Sequence, residues 1–327
     1  MRMTTALTSP FPMQPMERDK WVIDRRPRRA AVDPYRPYAF LVEEECSADF
    51  EIVHVATIFL TNRECPWRCV MCDLWKNTLT VSVPLGAIPT QIDYALARLP
   101  AAGQIKLYNS GSFFDLQAIP KQDYAAIAHR VRNFERTIVE CHPALVSKRC
   151  LEFRDILSNR LEVAMGLETV HPAVLDRINK RMTLQQFADA ASYLRKNEIE
   201  LRVFILVRPP FMQPEESLYW AQRSLDFAFD CGATAATLIP TRGGNGAMES
   251  LAQSGEFTPP DIATVEAAAS YGLGLGRGRV FVDLWDMPNR QDTCPKCLTD
   301  RVAILHRMNL YQRTFPSVNC PSCGGQR

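Results

Sequence analysis

The chain has 327 residues, 46% of them hydrophobic, and its 38 Lys and Arg residues nearly balance 36 Asp and Glu residues to give a net charge of +2. This length suits one barrel of repeated strand–helix units with a small appendage, and the balanced charge excludes a general attraction to nucleic acid or anionic membranes. Eleven cysteines are an odd number and seven fall in two metal-like groups, which indicates metal ligation in a reducing compartment and not a secreted disulfide framework.

The first 50 residues show no periodic pattern of apolar side chains. Pro10, Pro12 and Pro15 stand where a signal peptide would be apolar, and no segment approaches the ~20 apolar residues of a membrane helix. Four arginines in residues 25–29 are typical of a solvated arm, or of an arm that touches a phosphate backbone. We therefore expect a cytoplasmic protein without a membrane partner and a basic, proline-rich extension over residues 1–50.

From residue 53 onward, short apolar runs alternate with amphipathic segments. The strand-like runs lie at 53–61, 105–109, 137–141, 161–167, 201–207 and 235–240, with a late run at 280–285. The helix-like segments lie at 90–99, 121–134, 149–158, 171–180, 183–197 and 214–230. Strands that alternate with helices pair in parallel, so six such units predict an α/β fold with a partial (β/α)6 TIM-like barrel over residues 51–285. Reacting groups in such a barrel lie at the C-terminal ends of the strands.

Three cysteines follow the first of these strands within eight residues. Cys65, Cys69 and Cys72 have the spacing Cys-x3-Cys-x2-Cys. Thiolates are the usual ligands of iron–sulfur clusters, and three ligands on one loop leave the fourth iron of a [4Fe-4S] cluster open to a small molecule. The alternatives are three unrelated buried thiols or a structural zinc knuckle, although zinc needs a fourth ligand and neither His54 nor Asp73 fits a familiar knuckle.

The loops after the next strands carry small and acidic residues. Ser110, Gly111 and Ser112 follow the second strand, where they permit close approach of the backbone to a ligand. Glu140 ends the third strand and Glu168 the fourth, where a carboxylate can accept hydrogen bonds from ribose hydroxyls or from an ammonium group. The alternatives are an ordinary turn for residues 110–112, and helix capping or pairing with an arginine for each glutamate.

Four more residues at strand ends carry a weaker signal. Cys141 and His142 form a pair without a second catalytic signature, so either is a packed residue, with a substrate-facing thiol as the alternative. Arg208 and Arg242 follow the fifth and sixth strands. Each of these arginines either meets a carboxylate or phosphate or is a solvated cation on a flexible loop.

Four cysteines near the C-terminus form two Cys-Pro-x-Cys knuckles. Cys294 and Cys297 are separated from Cys320 and Cys323 by 22 residues. Two such knuckles can bring four thiolates to one tetrahedral ion, so we predict a zinc site in a C-terminal lobe over residues 286–327. An auxiliary iron–sulfur cluster is the alternative, because thiolate ligands alone do not choose the metal.

The cluster loop and its neighbours resemble those of the radical S-adenosylmethionine (radical SAM) superfamily. In that family the open iron binds the amino and carboxylate groups of S-adenosylmethionine, and one electron releases a 5′-deoxyadenosyl radical that abstracts hydrogen from the substrate. The resemblance implies a [4Fe-4S] cluster on the three-cysteine loop and an electron donor such as flavodoxin or ferredoxin. It places residues 110–112 at the Gly-Gly-Glu motif that holds the methionine amino group, and Met71 where many members carry an aromatic residue beside the adenine.

Residues 53–245 resemble more narrowly the group of the Elongator catalytic subunit, especially the radical SAM lyase of archaeosine synthesis. The motifs that carry this resemblance are Met71, residues 110–115, residues 139–143 and the run 166–183. Those relatives act on transfer RNA, so the resemblance implies a tRNA nucleoside as substrate, while a peptide or a small metabolite stays open because fold does not dictate substrate. A non-catalytic iron–sulfur or zinc redox module, or a nucleic-acid-binding module, is the alternative function.

Overall fold

One sheet of eight strands, hydrogen-bonded in chain order, organises the computed structural model, which describes residues 10–290 and 293–323. The strands are β1 (Ala39–Cys46), β2 (Ile52–Phe59), β3 (Gln104–Tyr108), β4 (Arg136–Glu140), β5 (Arg160–Glu168), β6 (Glu200–Val207), β7 (Ala235–Pro240) and β8 (Arg279–Val282). β1 pairs antiparallel with β2, and every later pair is parallel. The predicted α/β partial barrel is confirmed, since the sheet curls into a half-barrel of the TIM-like type.

Helices connect and cover these strands. Within the described residues they are α1 (Pro15–Asp24), α2 (Ala87–Leu96), α3 (Tyr124–Val131), α4 (Lys148–Arg154), α5 (Pro172–Arg177), α6 (Leu184–Lys196), α7 (Ser217–Asp230), α8 (Ala247–Gln253), α9 (Ile262–Gly274) and α10 (Leu298–Tyr311). α6 begins at a capping box formed by Thr183 and Gln186. Among the described helices, none has both the length and the apolar composition required to cross a bilayer.

The segment before the barrel differs from the expected solvated arm. α1 buries Trp21 and Val22 in a small apolar cluster with Val70, and the buried guanidinium of Arg18 lies 2.9 Å from Asp176 Oδ2. β1 pairs with β2 along its whole length. The apolar residues of this segment are few and separated by prolines and charges, so they gave no periodic signal. The domain boundaries at residues 50 and 285 stay predictions.

Buried charges fill the barrel near the N-terminal ends of its strands. They are Glu45, Lys106, Arg136, Glu162, Arg202 and Arg279. Glu162 is fully buried, and its Oε1 accepts a hydrogen bond from Arg202 Nε at 2.6 Å. Arg202 also donates to Glu45 of β1 at 2.6 Å, so β1 is tied to the middle of the barrel. Each buried charge has a partner of opposite sign, which offsets its desolvation cost. This ionic layer closes one end of the barrel and leaves the C-terminal ends of the strands for chemistry.

Candidate functional site at the barrel mouth

The three-cysteine loop follows β2 at the C-terminal edge of the sheet and is held from two sides. Val70 N donates to Ile178 O at 3.0 Å, and Asn245 Nδ2 donates to Val70 O at 2.7 Å and to Cys72 O at 3.1 Å. Val70 itself is fully buried against α1 and α8. The backbone that carries the cysteines is therefore fixed by residues from distant parts of the chain.

The thiols of Cys65, Cys69 and Cys72 are the predicted ligands of an iron–sulfur cluster. Burial raises the pKa of each thiol to about 12, so a nearby positive charge or metal is needed to ionise them. Among the described residues, only the C-terminal cysteines form a group whose ligand atoms all lie within 4.8 Å of one another. In a [4Fe-4S] cluster each thiolate of this trio would bind a separate iron, whereas the thiolates of a zinc knuckle share one ion.

Glu140 holds the segment that follows β3. Its Oε2 accepts hydrogen bonds from the backbone nitrogens of Asn109 at 2.9 Å and Ser110 at 3.1 Å. Burial raises the pKa of Glu140 to about 7, and the backbone donors act in the opposite direction. Ser112 Oγ accepts from His142 N at 2.7 Å, which ties the far end of the segment to the end of β4. Residues 110–112 are thus a braced loop and not a free turn.

Gly111 brings this loop against the three-cysteine loop. A Cβ at Gly111 would lie 3.2 Å from Cys65 Cβ, closer than ordinary van der Waals contact. Glycine at this position therefore permits a close approach that a larger residue would oppose. The structure brings together two groups that the sequence had placed after different strands.

Glu168, the second predicted glutamate, turns inward at an irregularity in β5. The register between β5 and β6 shifts between Gly166 and Glu168, and Glu168 has a φ of +66°, which is unusual for a residue with a side chain. Its Oε1 accepts a hydrogen bond from Lys180 Nζ at 2.6 Å, and both side chains are buried. A Cβ on Gly166 would lie 2.6 Å from Lys180 Nζ and closer still to the Glu168 carboxylate, so this glycine makes room for the ion pair.

Lys180 is a site residue to which the sequence interpretation assigned no role. Burial acts to lower the pKa of Lys180, but the Glu168 carboxylate, together with the neighbouring Cys69 and Cys65, outweighs it. The net effect is a raised pKa, so the buried side chain is an ammonium ion. Its one sequence signal was a lysine at the end of a predicted helix, which is the usual pattern of a solvated surface charge.

His142 is packed, as one of the two interpretations of the Cys141–His142 pair expected. Its ring stacks on Trp67 of the three-cysteine loop, with centroids 3.7 Å apart and an interplanar angle of 12°. Nδ1 accepts from Ala144 N at 3.2 Å, so the proton of the neutral ring lies on Nε2, 3.1 Å from Lys180 O. Burial, with a smaller effect of the Lys180 charge, lowers the pKa of His142 to about 3. His142 is therefore a neutral support for the cysteine loop.

The remaining strand-end residues have other partners. Arg242 lies 3.1 Å from carboxylate oxygens of both Asp283 and Asp286, and Arg208 donates to Pro259 O at 3.0 Å. Met71 packs at the junction of the barrel core and the apolar cluster around α1. Arg242 is therefore paired with two carboxylates, and Arg208 is held by a backbone carbonyl. Lys180 is a buried cation beside the three-cysteine loop, where Arg26 and Arg68 lie as well.

The four C-terminal cysteines converge as predicted. The Sγ atoms of Cys294 and Cys320 are 3.9 Å apart, and those of Cys297 and Cys323 are 3.7 Å apart. All four sulfurs lie within 4.8 Å of one another, a group that could hold a metal ion. This second cysteine group is separate from the three-cysteine loop and belongs to residues before and after α10.

Sequence comparison with known proteins finds relatives that share low identity with the chain. No protein-family model matches the chain. The chain is 23% identical over 254 residues to an uncharacterised protein of Methanocaldococcus jannaschii, a match that covers 73% of this chain and 70% of that protein. It is 26% identical over 219 residues to archaeosine synthase subunit beta of Methanosarcina acetivorans, and this match covers 62% of each protein, less than two thirds of the relative's length.

Solved structures share the fold at still lower identity. The crystal structure of methylornithine synthase, a radical SAM enzyme, superposes with a TM-score of 0.50 and 11% sequence identity, covering 76% of this chain and 66% of that one. The fold is therefore shared with a radical SAM enzyme. Together with the named relatives, this likeness confirms the resemblance that the motifs indicated.

Proposed function

We propose that the chain is a radical SAM enzyme in which Cys65, Cys69 and Cys72 hold a [4Fe-4S] cluster. The observation that carries this proposal is the convergence of those thiols with Gly111 and the buried Lys180 at the C-terminal edge of a parallel half-barrel. When bound, the cluster and S-adenosylmethionine supply the electron and the sulfonium bond whose cleavage gives a 5′-deoxyadenosyl radical. The shared fold and the relatives support this assignment.

Lys180 favours thiolates on the cysteine loop. Three buried thiols ionise only where positive charge offsets their burial, and an ammonium in a low-dielectric site acts more strongly than one in water. Glu168 fixes the position of that ammonium through the 2.6 Å hydrogen bond. The predicted role of Glu168 as a direct ligand of S-adenosylmethionine is thereby replaced, in our proposal, by a role through Lys180.

The braced loop after β3 is suited to hold the methionine part of S-adenosylmethionine. Asn109 is fully buried, yet neither its Oδ1 nor its Nδ2 has a hydrogen-bond partner among the residues that the structure describes. Buried polar groups are nearly always paired, so an unpaired carboxamide beside Ser110 indicates a position for a polar ligand group. Glu140 holds this backbone in place, and residues 110–112 remain the predicted binding segment.

Half-buried aromatic rings line the barrel above the ionic layer. The centroids of Phe59 and Tyr108 are 6.2 Å apart, and those of Tyr108 and Phe204 are 6.1 Å apart. Tyr38 adds a ring 5.6 Å from Phe59, and its hydroxyl lies 3.1 Å from Ser110 Oγ. These rings exclude water from a reactive radical and offer flat surfaces on which a planar substrate group can stack. A nucleoside of transfer RNA is the substrate class that we propose, in line with the named archaeosine synthase relatives.

The basic arm gives little support to the alternative of a nucleic-acid-binding module. Arg26 lies 2.7 Å and Arg29 2.5 Å from the Glu64 carboxylate, and the Arg25 guanidinium stacks on Trp21. Arg26 and Arg29 therefore hold the arm to the residue that precedes Cys65, whereas Arg25 packs within the arm itself. An electron donor such as flavodoxin or ferredoxin and a cytoplasmic location stay predictions.

Formation of 5′-deoxyadenosine tests the proposed activity. The anaerobically reconstituted chain, given dithionite and S-adenosylmethionine, should release 5′-deoxyadenosine, and Cys69→Ala should release none. Cys231→Ala, a change outside the site, is the matched control and should behave as the wild-type chain. Equal release from Cys69→Ala would disprove the assignment. A wild-type cluster whose electron paramagnetic resonance ignores S-adenosylmethionine would favour the redox module instead.

A further inference from the structure

The spacing of the C-terminal sulfurs distinguishes a single ion from a cluster. A tetrahedral ion with metal–sulfur bonds of about 2.3 Å holds its ligands about 3.8 Å apart. The sulfur pairs Cys294–Cys320 and Cys297–Cys323 are 3.9 Å and 3.7 Å apart, and no pair in the group exceeds 4.8 Å. The thiolates of an iron–sulfur cluster bind separate irons and stand farther apart. The group therefore matches one four-coordinate ion without an open position.

These cysteines flank α10, whose C-terminal part covers the open edge of the sheet. Gln312 Oε1 accepts a hydrogen bond from Val280 N at 2.7 Å, and Gln312 Nε2 donates one to Val280 O at 3.0 Å. Asn309 does the same at Val282, with distances of 2.8 Å and 2.9 Å. Two side-chain amides thus satisfy the backbone groups that β8 would otherwise leave unpaired.

α10 also packs against β1, so it lies between the two end strands of the incomplete barrel. Its N-terminal end is held to the barrel by Arg301, which is buried and donates to both oxygens of Glu266 on α9 at 2.8 Å and 2.6 Å. Cys297 is the residue that precedes the first turn of α10, whereas Cys320 and Cys323 follow the helix after the chain has turned back. An ion on all four sulfurs would fasten both ends of the helix segment together.

We propose that Cys294, Cys297, Cys320 and Cys323 bind one zinc ion, and that this ion holds α10 as the closure of the barrel edge at β8. The site has no role in S-adenosylmethionine cleavage itself. Zinc fits because four thiolates complete its tetrahedral shell and it adds no redox chemistry to a radical enzyme. Loss of the ion frees the helix segment at both ends, and the hydrogen bonds at Val280 and Val282 then open more often.

Metal analysis of the full chain tests the identity of the ion. The wild-type chain should hold one zinc per chain besides its cluster iron, and Cys294→Ser/Cys320→Ser should lose the zinc while iron and acid-labile sulfide stay unchanged. Cys65→Ser/Cys69→Ser/Cys72→Ser, the matched control, should lose iron and keep the zinc. Loss of iron and sulfide from the C-terminal variant would overturn the proposal in favour of an auxiliary cluster, without affecting the assignment of the N-terminal cluster.

Amide hydrogen exchange tests the closure. In Cys294→Ser/Cys320→Ser, exchange at Val280 and Val282 should accelerate at least tenfold, while amides of the central strands β5 and β6 keep their protection. Asn309→Ala/Gln312→Ala should show the same acceleration with the zinc retained. If the cysteine variant does not fold, the comparison is made on the wild-type chain before and after removal of zinc by a chelator. Unchanged exchange at both valines in the zinc-free chain would overturn the proposed closure.

Discussion

Lys180 and Glu168 form a buried ion pair whose ammonium lies beside the three-cysteine loop, with Nζ and Oε1 2.6 Å apart. The first prediction concerns this charge. Lys180→Met should destabilise the chain by roughly 3–5 kcal/mol, because it leaves the Glu168 carboxylate buried without a partner. Removal of a positive charge should also make the bound cluster harder to reduce. Chemical denaturation and potentiometric electron paramagnetic resonance measure the two effects.

A double variant separates the effect on stability from the effect on the reduction potential. Lys180→Met/Glu168→Gln removes the unpaired charge and should recover most of the lost stability. The shift of the reduction potential should persist in part, because Lys180 acts more strongly on Cys69 than Glu168 does and loss of the carboxylate offsets only part of the loss of the ammonium. A wild-type potential in Lys180→Met would show that Lys180 acts on folding alone.

The contact between Gly111 and Cys65 gives a second prediction. Gly111→Ala places a methyl group 3.2 Å from Cys65 Cβ, so one of the two loops must move. We expect a lower iron content after reconstitution and a weaker spectral response to S-adenosylmethionine. Gly274→Ala is the matched control, because its added methyl group meets no atom of the described part of the chain within 4 Å and its backbone is helical. Equal iron content in the two variants would contradict the proposed contact.

The partial barrel could be predicted because its parallel strands are buried on both faces, which gives continuous apolar runs such as residues 203–207. β1 could not be predicted, because its glutamates suggest a solvated segment. Glu45 is buried nonetheless, because Lys106 and Arg202 pair with it from positions 61 and 157 residues away in the chain. Pairing at such a separation leaves no local pattern.

The candidate site shows the same limit. The three cysteines and the glutamates at the ends of β4 and β5 were evident, because residue type and strand-end position carry that signal. The contacts that those glutamates make were not evident from the sequence. Glu168 pairs with Lys180, and Glu140 braces a neighbouring backbone. Both contacts depend on side-chain directions set by a strand irregularity and by packing.

A third prediction concerns pH and Glu140. The pKa of Glu140 in the folded chain is about 7, above that of a free glutamate, so its contribution to stability is complete below about pH 4.5 and is lost as pH rises through 7. Glu140→Gln keeps an acceptor for Asn109 N and Ser110 N but does not titrate. In urea denaturation of the iron-free chain, Glu140→Gln should remove the loss of stability between pH 4.5 and 7. Glu140→Ala should remove this loss and also disorder the 110–112 segment. An unchanged pH profile in Glu140→Gln would contradict the assignment.

His142 titrates with the opposite sign, which yields the last prediction. Its pKa is about 3 in the folded chain and about 6.5 in a free histidine, so the stability that it contributes is present above pH 6.5 and is lost as pH falls toward 3.

Each of the two groups, Glu140 and His142, alone gives a slope of about 1.4 kcal/mol per pH unit, and between pH 5 and 6.5 the two slopes oppose each other. The wild-type chain should therefore show a nearly flat profile in that range. Glu140→Gln should lose stability on acidification, because of these two groups only His142 then titrates. His142→Asn, whose Oδ1 can still accept from Ala144 N, should gain stability on acidification, and the double variant should again be flat. A double variant that slopes like either single variant would show that other groups control the acid response of this site.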